Sequence, residues 1–484
     1  MIFKQTYKLK TVLLTGLIAI IVLGNFPGYM TLDSTSQLHQ ARTMILNDGH
    51  PPAMALIWSL LDKIVPGPVL MLFLNAIIHV WGVWLMSAIF VAPRKRYWLT
   101  ALTILFIPTY FTIGVIWKDT LMNGFLLLAA GGIVQLVLGA IFKENLFSSL
   151  RWLLLIVVAL FLAISQRHNA PAGAVVLLCP VVLVFLNRLR KQKHVKSVAG
   201  QDDAITSALD LNWWKILITA LLSVVTVIVL FLSSVSFFDR FVTHHRNFWQ
   251  VLAFYDLAAI STQIDENILP ADIYPEADLE LLKKHYSPYS VLSLTKDSGF
   301  FYYITDEAAL EKLSAAWKGA IMEHPTAYFS HRKSIYSEAL GTGGVHPWAP
   351  IIVEPTIESR KHLYMPEVAT FQKPLRTKLK NYVVRQDPFF YAPWFYYYLG
   401  LALILFFLIK WGVTRRISVK ESLLLCFLTS GIAYELSLFF VAPSPDFRYS
   451  SYMIFMSAFC ILAVILDVPL GSLAKARLKR TGNV

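Results

Sequence analysis

Charge is what this sequence has least of. Asp, Glu, Lys and Arg fill 15% of its 484 positions, where a soluble protein carries about 25%. A solvated globular surface is therefore excluded for most of the chain. Cysteine is nearly absent as well. Cys179, Cys426 and Cys460 all lie inside apolar runs, which excludes a disulfide framework and any metal-type Cys spacing. No internal repeat or low-complexity tract is evident. The segment after the first apolar run, NFPGY, has no small-x-small cleavage signal, so the N-terminal run reads as an uncleaved span.

Hydrophobic residues take the place of charge, at 56% of the chain, and the mean hydropathy is +0.57. Apolar runs close to the length of a bilayer crossing recur along the sequence, so the fold class is an all-α polytopic membrane protein. Ten spans are expected, at roughly 9–28, 67–91, 97–116, 120–142, 152–165, 170–187, 214–236, 391–410, 421–442 and 450–467. The fifth is the shortest. The organisation that follows is a transmembrane module over 1–236, a mainly helical extramembrane domain over 237–390, and a second transmembrane module with a basic tail over 391–484.

The net charge of +13 does not point to nucleic acid, because the basic residues sit between apolar runs and set orientation. One set of connections holds the basic clusters, among them Lys4, Lys8 and Lys10, Arg94-Lys95-Arg96, Arg188 to Lys196, and Lys475 to Arg480. The short connections opposite hold Arg42, Lys63, Lys118, Arg167 and Arg448. Both termini are therefore expected in the cytoplasm and the 237–390 domain outside. Within that domain, helices are expected at Arg246–Ile260, Ala277–His285 and Asp306–Leu340, the last capped by Thr305. Gly341–Trp348 reads as a surface loop, and Gln201–Asp210 as a polar connector.

The short external connections carry the chemistry. Asp33, Asp48 and His50 are in the first, Lys118 and Asp119 in the second, Arg167, His168 and Asn169 in the third, and Asp446 and Arg448 in the last. Ionisable groups in such turns are costly unless paired or wet, so they are functional candidates. Singly, each has a plainer reading. Asp33 could cap a short amphipathic helix with Leu38, Ala41 and Ile45 toward lipid, Arg167 could snorkel, and Asp446–Arg448 could close a turn. His79 and Glu435, inside spans, read as packed and hydrogen-bonded. Trp317, Ile321 and Tyr328 at helical spacing read as core. Taken together, a carboxylate and three cations on one side of a membrane suit a lipid-anchored phosphate beside a general base.

The layout resembles the GT-C superfamily of integral-membrane glycosyltransferases, which includes protein O-mannosyltransferases and lipid A aminoarabinose transferases. More closely, the ordered pieces PGYMTLDSTSQ, NDGHPP, WKDT, QRHNAP, YDLAAIS, AWKGAIMEHPTAYFSHR and FRYSSY are similar to a family of uncharacterised bacterial membrane proteins assigned to that superfamily. The resemblance implies a polyprenyl-phosphate sugar donor and a glycan, lipid or protein acceptor. It implies Asp33 as base, with Lys118, Arg167 and Arg448 on the donor phosphate. Ser34 follows Asp33 where the mannosyltransferase pattern has a second acid. Some superfamily members bind a divalent cation near the first-loop acid. Here Asp33, Asp48, Asp119 and His50 would be the ligands for Mg or Mn, and a metal-free site is equally compatible. Two other classes compete. A glycan polymerase or ligase of the O-antigen type would rely on external arginines, and a transporter would show inverted repeats.

Overall fold

The computed structural model describes residues 2–142, 145–191, 213–296, 298–343, 372–386 and 389–467. Among them the chain is all helix. Its β-type pairings are two isolated bridges, Tyr29 with Val115 and Asn47 with His244, and no sheet forms. The connector Gln201–Asp210, the basic tail and most of the Gly341–Trp348 loop lie outside the described residues.

Seven of the described helices are long and apolar enough to cross a membrane, which makes this a multi-pass membrane protein. The first half runs α1 (Ile2–Asn25), α2 (Leu32–Thr43), α3 (Ala53–Asp62), α4 (Val69–Met86), α5 (Lys95–Leu105), α6 (Ile107–Ile113), α7 (Lys118–Ile141), α8 (Leu146–Ile164), α9 (Ala170–Lys191) and α10 (Trp213–Asp239). The extramembrane region holds α11 (Trp249–Ile264), α12 (Leu279–His285), α13 (Leu292–Thr295), α14 (Glu307–Glu323), α15 (Pro325–Leu340) and α16 (Gln372–Gln386). A 3-10 turn at Phe389–Tyr391 leads into α17 (Pro393–Thr414), α18 (Val419–Val441) and α19 (Phe447–Asp467). The seven long apolar helices are α4, α7, α8, α10, α17, α18 and α19, while Lys10–Asn25, Ala53–Asp62 and Ala170–Leu186 are apolar but shorter.

Local chemistry explains where the helices differ from expectation. The stretch 97–116 is not one helix. Pro108 has no N–H for the Ile104 carbonyl, and Phe106 turns extended at ψ 129° between α5 and α6. The Thr109 hydroxyl donates to the Thr103 carbonyl at 2.7 Å, which satisfies one of the groups released there. Asp306–Leu340 is likewise two helices, because Pro325 starts α15 after His324 leaves helical geometry. Asp306, not Thr305, caps α14, accepting from Ala309 N at 2.9 Å. The fifth span is longer than expected, 19 residues, with Asn145 as its N-cap.

α4 and α7 form the centre of the transmembrane part. A Cβ at Gly82 would meet the Leu127 carbonyl carbon at 2.8 Å, and one at Gly131 would meet Leu85 Cβ at 2.6 Å. Small residues allow this close approach, which supplies dispersion where burial from water does not. The extramembrane helices pack on an aromatic cluster of Phe254, Tyr274 and Phe301 and dock on the membrane part through specific ties. Arg332 Nη1 donates to the Ala442 carbonyl at 3.2 Å and Val291 N to the Pro443 carbonyl at 3.2 Å. Arg376 of α16 stacks 3.6 Å over Tyr29 and donates to Asn25 Oδ1.

Candidate functional site

One end of the bundle gathers the N-termini of α7 and α19, the α8–α9 turn, the end of α18 and the segment after α1. Backbone pairing brings the first two connections together. Tyr29 N donates to the Gly114 carbonyl at 3.0 Å, and Ile116 N to the Tyr29 carbonyl at 2.9 Å. Ser34 Oγ then donates to the Ile116 carbonyl at 2.6 Å, and Trp117 Nε1 to Thr31 Oγ1 at 2.9 Å. The start of α2 is thereby fastened against the start of α7. Thr31, not Asp33, is the N-cap of α2. Leu38 and Ala41 face the protein core, against the expectation that they face lipid, while Ile45 is exposed. Asp33, in the first turn of α2, is left for other contacts.

Those contacts are basic side chains. Arg448 Nη1 stands 2.5 Å from Asp33 Oδ2, and His50 Nε2 lies 3.8 Å from Asp33 Oδ1. Lys118 Nζ donates to His50 Nδ1 at 2.7 Å, so the neutral ring carries its proton on Nε2, facing Asp33. Asp446 orients Arg448, accepting from its backbone N at 3.1 Å and pairing with Nε at 2.9 Å. The Arg448 guanidinium also lies 5.3 Å from the Trp117 ring centroid. Asp33, Ser34, Gln37, His50, Met54, Ile116, Trp117, Lys118 and Arg448 line a narrow cleft.

Burial works against a charged Asp33, but Arg448, His50 and Lys118 outweigh it and hold the carboxyl well below the usual carboxylate range. His50 is pushed the other way. Burial, then the Lys118 charge, lower it to about 3, so it is a neutral donor near pH 7. Burial raises Asp446 above its ordinary value, against the pull of Arg448. The cleft thus holds an ionised carboxylate, a neutral imidazole, an amine and a guanidinium.

Not every sequence candidate lines the cleft. Arg167 turns aside to Asp119, Nε to Oδ1 at 2.7 Å, and the Asp119 side chain is wholly buried. Arg167 also lies 4.3 Å over the Tyr449 ring. This pair stands behind the cleft, with Asp119 reaching Arg448 Nε at 3.9 Å. Asp48 is placed elsewhere. Its carboxylate accepts from the backbone N–H groups of Arg246 and Asn247 at 2.5 and 2.8 Å, clipping the first connection to the segment after α10. His168 is exposed and packs edge-on to Phe231. Asn169 Nδ2 donates to Ser437 Oγ at 3.4 Å. His79 and Glu435 are packed and bonded, to the Asn75 carbonyl at 2.7 Å and to Ser450 Oγ at 2.8 Å.

The donor set does not fit a divalent cation. Asp33 and Asp119 face guanidinium groups and Asp48 is spent on backbone N–H groups. Among the described residues no group of three or more His, Cys, Asp or Glu is placed to hold a metal.

Sequence reasoning did not single out Gln37, Trp117, Met54 or Ile116. The available signal was helical spacing, since Gln37 lies one turn beyond Asp33, and adjacency of Trp117 to Lys118. Comparison of the chain with family models, with curated proteins and with solved structures finds no match.

Proposed function

We propose that the cleft transfers a sugar from a polyprenyl-phosphate donor to a hydroxyl-bearing glycan, lipid or protein acceptor, as a membrane glycosyltransferase of the GT-C type. The observation that carries this reading is the meeting of Asp33 with Arg448, His50 and Lys118 in one cleft at the end of a membrane bundle. A lipid-anchored phosphate reaches that depth with its tail in the bilayer, and the two cations suit its anionic oxygens.

In this reading the ligand-free Asp33–Arg448 pair is a resting arrangement. An incoming phosphate competes for Arg448, and Asp33 is released toward the acceptor. The carboxylate then takes the acceptor hydroxyl proton. The acceptor oxygen attacks the anomeric carbon, and the bond from that carbon to the phosphate oxygen breaks with inversion. Polyprenyl phosphate leaves with its new charge against Lys118 and Arg448. His50 Nε2–H steadies Asp33, Asp446 aims Arg448, and the Asp119–Arg167 pair braces them from behind.

The same reading takes ten crossings, counting α1, α9 and the broken α5–α6 pair with the seven long helices. It puts both termini in the cytoplasm of a bacterial plasma membrane, with 237–390 outside. A Cys at the exposed position His39 would then react with an impermeant thiol reagent from outside the cell; protection there reverses the topology. The function is tested with full-length protein in lipid nanodiscs and polyprenyl-phosphate sugars. Asp33→Asn should abolish transfer while helicity and Tm are retained, and wild-type turnover by that variant would overturn the assignment.

A further inference from the structure

Beside Ser34, whose hydroxyl is spent on the Ile116 carbonyl, the cleft contains one more polar side chain that the proposed phosphate chemistry does not use. Gln37 is 2% exposed and lines the cleft one helical turn from Asp33. Neither its Oε1 nor its Nε2 has a hydrogen-bond partner among the described residues. Two other buried glutamines on the same side, Gln40 and Gln250, have partners for their amides. Gln40 Oε1 accepts from Asn47 N at 3.2 Å, and Gln250 bonds the Ile304 backbone through both its amide oxygen and nitrogen, at 2.8 and 3.2 Å. A buried amide left without partners destabilises the fold relative to an apolar side chain of the same shape. Its place in a cleft wall gives it a ligand to meet.

We infer that Gln37 reads the sugar: its amide binds neighbouring hydroxyls on the ring of the bound sugar phosphate and discriminates among sugars. This deepens the proposed function and rests on it. The chemistry of the amide selects the ligand group. It presents an acceptor and a donor side by side, which matches a pair of hydroxyls, each able to give and take a proton. It does not match a phosphate, whose oxygens only accept and would be repelled by Oε1. The neighbouring walls agree. Met54, Ile116 and Trp117 are apolar and suit the C–H face of a ring, and Trp117 is held in place by its bond to Thr31. Lys118 and Arg448 hold the anionic end. The cleft therefore has a charged part for the phosphate and a neutral, half-apolar part for the sugar, with Gln37 in the second.

The test compares binding of polyprenyl methyl phosphate, a sugar-free diester with the donor's own single charge that serves as the bare phosphate, with binding of polyprenyl-phosphate glucose, mannose, galactose and arabinose to the full-length protein in nanodiscs. In the wild type, at least one sugar-bearing lipid should bind about tenfold or more tighter than the bare phosphate, and the four should differ. Gln37→Leu should erase that advantage while changing affinity for the bare phosphate less than about threefold, with Tm unchanged or raised. Gln37→Met repeats the measurement with an unbranched side chain should the leucine variant not fold. Arg448→Ala should weaken bare and sugar-bearing lipids alike. If no sugar-bearing lipid outbinds the bare phosphate, or if the advantage survives in Gln37→Leu or Gln37→Met, the inference is overturned and the phosphate site stands. If Arg448→Ala changes neither affinity, the phosphate reading itself fails.

Discussion

Two carboxylates in this protein have nearly the same partners and opposite surroundings. Asp33 faces Arg448 at 2.5 Å and His50 at 3.8 Å, and the far nitrogen of His50 meets Lys118. Asp256, in α11, faces Arg332 at 2.6 Å and His331 at 3.3 Å. The far nitrogen of His331 meets the Tyr286 hydroxyl at 2.8 Å, and Trp317 Nε1 donates to Asp256 Oδ2 at 2.9 Å. Yet the Asp33 side chain is 36% exposed and Asp256 is 0% exposed. The second cluster ties α11, α14 and α15 together and, through Arg332, grips the end of α18 just before Asp446 and Arg448. Burial lowers His331, against the pull of Asp256. An Asp–His–Arg constellation is thus a brace where nothing can enter and a candidate site where a cleft opens on it. Composition does not separate the two; access does.

The contrast is sharpest if the same substitution is made in both clusters. Asp256→Asn leaves the buried Arg332 without its counter-charge and should cost about 3–5 kcal/mol, read as a collapse of Tm or of folded yield in detergent. Asp33→Asn should change stability by no more than about 1 kcal/mol, because Arg448 keeps Asp446 and water, while transfer falls about 10²–10⁴-fold. Equal destabilisation by the two variants would break the distinction.

Arg167 and Arg448 extend the test to cations. Arg167→Ala strands the buried Asp119 and should cost about 3 kcal/mol, recovered largely in the double variant Arg167→Met with Asp119→Leu. Arg448→Ala should act chiefly on donor use, raising KM for the lipid phosphate about 10–100-fold. A reversed pattern would move Arg167 into the cleft.

The remaining effect concerns pH. His50 is held below its unfolded value, so the unfolded chain takes up a proton that the folded chain refuses as pH falls below about 6.5. Its contribution to stability is therefore complete above that pH. It declines on acidification until His50 itself protonates near pH 3, by at most about 1.4 kcal/mol per pH unit. The Asp33 contribution has the same sign and begins to be lost only below about pH 4. His50→Gln should flatten the dependence of Tm on pH between 6.5 and 5; an unchanged slope would place the titration elsewhere.

Much of the helical layout was legible in residue order, since apolar length is a local property. The misses were local too. Pro108 and Pro325 each divide a stretch that hydropathy joins, because hydropathy does not register a missing N–H. The site was legible as a set of ionisable residues in short connections, but not in its pairings. Asp48 looks as promising as Asp33 in sequence and is spent on the backbone of Arg246 and Asn247. Arg167 looks equivalent to Arg448 and is spent on Asp119.

The sequence alone determined that this is a helical membrane protein, because burying some twenty apolar residues in a bilayer outweighs the alternatives for each span separately. It also put the ionisable groups in the connections, where charge is least costly. Which of them meet was decided by the tertiary structure. Four connections far apart in the chain come together only after α2 is fastened to α7 and α19 packs beside them. Hydrogen bonds and ion pairs act over a few ångströms, so their partners are set by that packing. The same packing leaves Asp33 partly exposed on a cleft whose wall includes the buried Gln37, and encloses Asp256.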